Sequence, residues 1–385
     1  MAELKVGIIG IGNMGTAHAK NLAAGQVKGA ELVAVCDINQ QRLDWAAENL
    51  AQQVKLYSEA AELLNYAELE AVIIATPHYD HPPLAIAAFK KGLHVLTEKP
   101  AGVYTKAVRE MNKAALAAGK TFAIMYNQRT RPIYQKVKDL VSSGELGDLK
   151  RINWIIDWYR PQSYYDNGGW RATWQGEGGG VLLNQDPHQL DLWQWICGMP
   201  IRIRAFAAEG KYHQIEVEDD VTAYFEYENG ATGVLVTSTG IAPETNRLEI
   251  TGTKGKIIVE AEKLIFKRLR ISEPEFNNTF KGGFGKPECW QIEIPTTDTG
   301  AEHLKILNNW VAAIQQGTKL IAPGEEGIKG LTISNAIHLS AWNDDWVEIP
   351  YSEDLFYQKL QTKIANSSFE KKTTESRTFS VEGTF

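Results

Sequence analysis

Through the first third of the chain, short uninterrupted apolar runs alternate with longer stretches of helical periodicity. The runs are Val6–Ile9, Glu31–Cys36, Ala71–Ala75, His94–Thr97 and Thr121–Met125, with a shorter one near Val54–Tyr57. Continuous apolar character over so few residues suits a parallel strand covered on both faces, whereas a half-exposed strand would alternate. Between the runs, Met14–Ala24, Gln41–Gln53, a segment opening at Ser58, Pro82–Lys91 and Tyr104–Ala118 read as helices; Leu43, Ala46, Ala47 and Leu50 share one face of the second. Strand and helix in regular alternation predict a doubly wound parallel α/β sheet.

The pattern changes after a helix at Ile133–Ser142. Leu149–Trp158, Ile201–Ala208, Val221–Tyr227, Ala231–Ser238, Arg247–Thr251, Lys256–Glu260 and Leu264–Lys267 read as strands, several alternating polar with apolar as in an antiparallel sheet with one face covered. Helices interrupt them at Pro187–Ile196, Glu302–Gln315 and Gly327–Trp342. A large open sheet with so few helices leaves a face over. Burying that face against a second copy predicts a homodimer or homotetramer built through this carboxyl-terminal sheet. The expected units are therefore residues 1–127, 128–350 and a carboxyl-terminal extension, 351–385. The last part of the extension is rich in Ser, Thr, Glu and Lys and is expected to be mobile, with Phe379 and Phe385 available to dock on a neighbour.

Bulk properties narrow the partners. The 385 residues suffice for two cores, and a formal charge of −7 with pI near 5.7 argues against nucleic acid or an anionic membrane surface. Cys36, Cys197 and Cys289 are few, odd in number and far apart, which suits free thiols in a reducing cytoplasm and offers neither a disulfide framework nor a metal site. Met1–Lys5 lead directly into the first strand without a signal peptide, and no apolar run reaches membrane-spanning length. A soluble cytoplasmic protein is expected.

The chemistry begins where the first run ends, at Gly10-x-Gly12-x-x-Gly15 between a strand and a helix. Gly10 permits the turn, Gly12 allows close approach of a pyrophosphate, and Gly15 lets the helix pack on the strand, with Asn13 and Met14 inside the same loop. Asp37 stands 22 residues beyond Gly15 at the end of the second run, positioned to accept hydrogen bonds from an adenosine ribose. This favours NAD; Arg42, one helical turn on, keeps NADP open by offering a partner to a 2′-phosphate. Ligands of doubly wound sheets lie beyond the carboxyl ends of the strands. That rule brings in Thr76, Pro77 and His78 after Ala71–Ala75, Glu98 and Lys99 after His94–Thr97, and Tyr126 and Asn127 after Thr121–Met125. Pro100 holds Lys99 extended and permits a cis bond.

A second chemical stretch runs from Gly168 to Asp191. Glycines at 176, 178, 179 and 180 let backbone approach a ligand, Asp186 and Pro187 suit the start of a helix, and His188 follows in its first turn with Asp191 on the same face. Asn184, Trp170 and Arg171 lie within the same segment. Trp170, Trp174, Tyr164 and Tyr165 suit stacking on a sugar ring and suit a core equally well.

Taken jointly, GIIGIGNMG, EKP at 98–100, GELGDL at 144–149 and the glycine run leading into Asn184-x-x-x-His188-x-x-Asp191 resemble the Gfo/Idh/MocA family of glucose-fructose oxidoreductase and inositol dehydrogenase, over roughly residues 4 to 350. The resemblance implies a Rossmann domain followed by an α/β domain, and NAD(P)-dependent hydride transfer at a secondary hydroxyl of a sugar, inositol or related polyol. It matches Lys99 and His188 to the family's active-site lysine and histidine. The family's usual aspartate is Asn184 here, which can orient a hydroxyl but cannot take up charge. Proton transfer would then rest on Lys99 and His188, with Asp191 a further candidate. Two other readings stay open: a non-catalytic sensor of dinucleotide and sugar, and a redox-neutral enzyme that oxidises, eliminates and re-reduces a glycoside.

Overall fold

In the computed structural model, which describes residues 2–296 and 302–370, two sheets carry the chain. The first contains β1 (Leu4–Ile9), β2 (Ala30–Cys36), β3 (Lys55–Tyr57), β4 (Ala71–Ile74), β5 (His94–Thr97) and β6 (Phe122–Ile124) in the order β3-β2-β1-β4-β5-β6. Every pairing in it is parallel, the Rossmann arrangement. All four residues of β4 are buried, as its unbroken apolar sequence demands. Register fixes the ligand edge: Ile9 pairs with Ile74, and Ile74 with Thr97, so Gly10, Ala75 and Glu98 follow on three adjacent strands at one level.

The second sheet has nine strands: β7 (Leu149–Asp157), β8 (Arg202–Glu209), β9 (Glu218–Glu226), β10 (Thr232–Ser238), β11 (Asn246–Gly252), β12 (Gly255–Glu260), β13 (Lys263–Leu269), β14 (Cys289–Ile294) and β15 (Val347–Glu348). Their order is β14-β13-β12-β11-β7-β10-β9-β8-β15, antiparallel except where β10 pairs with β7. One face packs on the helices Pro187–Cys197 and Gly327–Asn343 through a layer that includes Trp154, Trp193 and Phe225, whose rings lie 6.5 and 4.7 Å apart in succession. The other face leaves Ile155 and Phe206 exposed.

The chain returns to the first sheet late. Ile124 N donates to Ala322 O, Pro323 bridges Ala123, and Asn308 on the helix His303–Gln316 accepts from Lys28 N. The Rossmann layer is thus completed by residues far away in sequence.

Several elements differ from the pattern reading. The segment opening at Ser58 forms only the short helix Ala60–Leu63. The strand β14 and helices at Gln162–Asp166, Val181–Asn184, Glu273–Thr279 and Glu353–Ala365 were unexpected. The last of these lies within the carboxyl-terminal extension, 351–385. Ser352 caps it by accepting from Leu355 N, Phe356 and Leu360 are fully buried, and Glu353 pairs with Arg109 on the helix Thr105–Ala118. Phe379 and Phe385 lie outside the described residues. Among the described residues no helix is long and apolar enough to cross a membrane, no cysteine is in a disulfide, and no His, Cys, Asp and Glu cluster could hold a metal ion.

Candidate active site

The carboxyl edge of the parallel sheet opens into a cleft of about 620 Å³ whose far wall comes from residues 167–184. At one end, Gly10 has φ +86°, and a Cβ there would fall 2.7 Å from Ala75 O. A Cβ on Gly15 would fall 1.8 Å from Gly10 O. Side chains are sterically excluded at both positions. The helix Asn13–Ala23 starts at Gly12 with no side chain capping it, leaving its first N–H groups available to an anion.

Asp37 is buried at the end of β2. Its Oδ2 accepts from Ile11 N (2.8 Å) and Arg42 Nη1 (3.1 Å), and its Oδ1 from Asn39 N (2.9 Å). Arg42 is therefore already paired with Asp37, and its guanidinium lies 3.6 Å from where a Gly12 Cβ would stand. Asn13, Met14, Thr76, Pro77 and His78 also line the cleft, and Thr76 Oγ1 is buried without a hydrogen-bond partner. An uncapped helix start, glycines where no Cβ fits, a carboxylate at the end of β2 and an orphaned hydroxyl fit a dinucleotide.

At the other end, the Lys99–Pro100 bond is cis and Lys99 reaches the cleft. Its Nζ donates to the main-chain oxygen of Asn184 at 2.6 Å. Burial, joined by the charges of Arg171 and Arg160, lowers the ammonium to about 8, against the opposing pull of Glu98 and Glu177. Behind it, His18 Nε2 donates to Glu98 Oε1 at 2.7 Å. Burial alone would raise the Glu98 carboxyl; the bond and charge of His18 outweigh it, so the group stays below its ordinary value.

The far wall is held by its glycines. A Cβ on Gly180 would fall 1.9 Å from Glu218 O, and Glu218 Oε1 accepts from both Gly180 N (2.8 Å) and Leu182 N (3.0 Å). This starts the short helix bearing Asn184. Asn184 Nδ2 donates to Glu177, and Tyr164 Oη donates to Asn184 Oδ1 at 3.0 Å. Arg171 Nη1 donates to Tyr164 Oη at 2.7 Å, with its guanidinium 4.5 Å from the ring centres of both Tyr164 and Trp170. The Trp170 ring in turn meets His78 edge-on at 5.2 Å.

Other expected site residues are not on the cleft wall. His188 is buried and meets Tyr126 ring to ring at 6.4 Å. Burial, with Lys99 and His303 nearby, holds its imidazole neutral far below the ordinary range. Asn127 Nδ2 lies 3.3 Å from the ring of His303, which returns from the second domain. Asp191 is turned away: its two oxygens accept from Arg129 Nε (2.7 Å) and Nη2 (2.6 Å), a fully buried pair that leaves no carboxylate for the cleft. Asp186 does not cap its helix either. The helix Val181–Asn184 runs almost straight into it, with Gln185 N and Asp186 N bonding to Val181 O, and Asp186 is itself in the right-handed helical conformation and fully buried, making no side-chain bond to the first turn.

The pattern reading missed Glu177, His18 and His303. For Glu177 a signal existed in the lone carboxylate of Gly176-Glu-Gly-Gly-Gly180; for the two histidines there was none locally.

Two family profiles match the chain: "Oxidoreductase family, NAD-binding Rossmann fold" (GFO_IDH_MocA) over residues 4–126, and "GFO/IDH/MocA C-terminal domain" over residues 134–258. Myo-inositol 2-dehydrogenase of Thermotoga maritima is 27% identical over 265 residues, 67% of this chain and 75% of that protein. Levoglucosan dehydrogenase of Pseudarthrobacter phenanthrenivorans is 24% identical over 390 residues, 91% of this chain and 99% of its own length. For some other relatives the match spans as little as 51% of their length. Among solved structures, the WlbA dehydrogenase of Bordetella pertussis in complex with NADH and UDP-GlcNAcA superposes with a TM-score of 0.76 at 26% identity, covering 91% of this chain and 100% of that one.

Proposed function

Because the chain belongs to the Gfo/Idh/MocA family of oxidoreductases with an NAD-binding Rossmann fold, we propose that it transfers a hydride between a nicotinamide dinucleotide and a secondary hydroxyl of a sugar, inositol or related polyol. The observation that carries this reading is the position of Lys99: at the carboxyl edge of the parallel sheet, in the cleft that runs from the glycine turn, and bonded to Asn184 of the facing wall. The relatives' names, an inositol and an anhydrosugar dehydrogenase, support a ring bearing several hydroxyls.

When bound, the nicotinamide supplies the hydride acceptor. Lys99 accepts the hydroxyl proton at Nζ in oxidation and returns it in reduction, a role suited to a group titrating near 8. His188, neutral and close enough to Lys99 to feel its charge, stands one layer deeper as the next proton carrier. Asn184, Arg171 and Trp170 orient the ring, the indole by stacking and the polar pair by hydrogen bonds. Gly10, Gly12, Asn13, Met14 and Gly15 hold the pyrophosphate; Thr76, Pro77, His78 and Glu98 border the nicotinamide half, with Asn127 and Tyr126 supporting from behind. Asp37 favours NAD, since Arg42 is engaged by that same carboxylate. Residues 1–127 form the dinucleotide-binding unit and 128–350 the substrate-binding one.

We further infer that two or four copies associate through the helix-free face of the nine-stranded sheet, where Phe206 and Ile155 are exposed, and that the unpaired thiols belong to a reducing cytoplasm. Phe206→Lys combined with Ile155→Lys should convert the assembly to monomers in light scattering.

The test of function is NADH absorbance with a panel of inositols, aldoses and glycosides, each with NAD and NADP. Turnover on one class with NAD is the expected result. Glycoside cleavage with cofactor that never exchanges would replace this reading with the redox-neutral one; binding without any turnover would replace it with a sensor.

A further inference from the structure

Four side chains on the far wall of the cleft close a ring. Glu177 Oε1 accepts from Asn184 Nδ2, Asn184 Oδ1 accepts from Tyr164 Oη, Tyr164 Oη accepts from Arg171 Nη1 at 2.7 Å, and Arg171 Nη1 returns to within 3.7 Å of Glu177 Oε1. The carboxylate is the member farthest from solvent: the Glu177 side chain is 1% exposed against 17% for that of Arg171. Its second oxygen accepts from Ala172 N at 2.6 Å, and its main-chain oxygen accepts from His78 Nδ1 at 3.1 Å.

These contacts remove freedoms that the reaction cannot leave open. A carboxylate accepts only, so the Asn184 amide must turn Nδ2 toward Glu177 and Oδ1 toward Tyr164. A main-chain carbonyl also accepts only, so His78 is fixed with its proton on Nδ1. The peptide of Asn184, anchored through its side chain, offers its oxygen to Lys99.

We infer that Glu177 is the positioning carboxylate of this site. Through Asn184 it sets where Lys99 Nζ rests; burial raises its carboxyl above the ordinary value, opposed by Arg171, Ala172 N and Asn184, and as a carboxylate it carries the charge that an amide at 184 cannot. The inference rests on the dehydrogenase reading above. The charged and titratable groups around Lys99 are Glu98 beside it at the end of β5, Arg160, Arg171 and Glu177 from the second domain, and the imidazoles of His188, His78 and His303, all lowered below the ordinary histidine range by burial. Glu98 is held by His18 on the near side; across the cleft the link to Lys99 runs through Asn184, whose side chain donates to Glu177 and whose main-chain oxygen accepts from Lys99 Nζ.

The test uses the full chain and a polyol that the wild type oxidises with NAD; failure to find one refutes the dehydrogenase reading and not this one. In Glu177→Gln the amide keeps the shape and loses the charge. Turnover should fall on the order of tenfold to a hundredfold, with NADH affinity by fluorescence titration within about twofold. Loss of a negative neighbour favours the neutral amine, so the rise in the kcat pH profile should move to lower pH. Adding Asn184→Asp returns a carboxylate to the same wall, nearer the cleft; it should recover most of the lost turnover and move the rise back up. Should Glu177→Gln not fold, Glu177→Asp keeps the charge and shortens its reach to Asn184; turnover should fall with NADH affinity kept and the pH rise unmoved, and unchanged turnover would count against the assignment. Unchanged turnover and pH profile in Glu177→Gln, or a loss that follows Tm and is not recovered by Asn184→Asp, would overturn the assignment.

Discussion

Lys99 Nζ lies 2.6 Å from the main-chain oxygen of Asn184, a hydrogen bond that spans from the carboxyl edge of the parallel sheet to the opposite wall of the cleft. An ammonium in that position is desolvated by both domains at once, which is why its charge is less stable than in water.

Replacing it tests the chemistry directly. Lys99→Met keeps the length of the side chain and removes the proton acceptor, so turnover should fall by about a hundredfold or more, within the range of a lost general base. NADH binding should be retained, because the glycine turn and Asp37 lie at the other end of the cleft. Near-normal turnover would remove Lys99 from the mechanism.

The pH dependence follows from the same residue. A base must be unprotonated to act, so oxidation should rise about tenfold per pH unit below about 8 and level off above it. Reduction requires the ammonium and should be level below about 8 and decline above it. His188, held neutral far below the ordinary histidine range, should add no inflection near pH 6 or 7. A profile with its inflection there would transfer the proton-carrying role to His188.

The fold was legible where burial leaves a periodic mark. The strand β4 is apolar throughout because both faces are covered, and its place before Thr76 could be read from that alone. The edge strand β14 left no such mark; its residues are almost all exposed and it is held mainly by pairing with β13. The helix Glu353–Ala365 buries only Phe356 and Leu360, too few apolar positions to stand out from a polar tail. Site residues divide in the same way. The glycine turn, Asp37 and Lys99 follow from local order along one sheet. His18 with Glu98, and Arg129 with Asp191, are pairs 80 and 62 residues apart, brought together by packing that no local pattern encodes.

Cofactor choice should respond to Asp37. In Asp37→Ala the ribose loses its carboxylate, and Ile11 N and Asn39 N lose an acceptor. Hydrogen bonds to a charged group are worth about 1.5–3 kcal/mol each, so NAD affinity should weaken at least tenfold. NADP should suffer less, because Arg42 is released from Asp37 to meet a 2′-phosphate. Equal losses for the two cofactors would take Asp37 out of the ribose site.

Asp191 should behave as a structural partner. Asp191→Ala leaves the buried Arg129 guanidinium with Glu326 as its remaining carboxylate, and breaking one side of a buried pair costs about 3 kcal/mol. A lower Tm with KM for the polyol unchanged is expected. A raised KM at unchanged Tm would return Asp191 to the substrate.

Asp186 provides a stability test whose sign differs from that of an ordinary carboxylate. Burial pushes its carboxyl up to about 8, partly offset by Thr237 and Trp158, which face it without a hydrogen bond of normal geometry. The folded state therefore binds the proton more tightly than the unfolded chain, in which an aspartate titrates near about 3.9. The stability associated with the neutral form is complete below about pH 4 and is lost as pH rises through about 8, because above that value folding must bury a charge. Asp186→Asn stays neutral throughout. Its Tm should match the wild type near pH 4 and exceed it at about pH 9, by roughly 2–4 °C for each kcal/mol relieved. A difference that is the same at both pH values would mean that Asp186 does not titrate in this range and that its burial is compensated by contacts the amide shares.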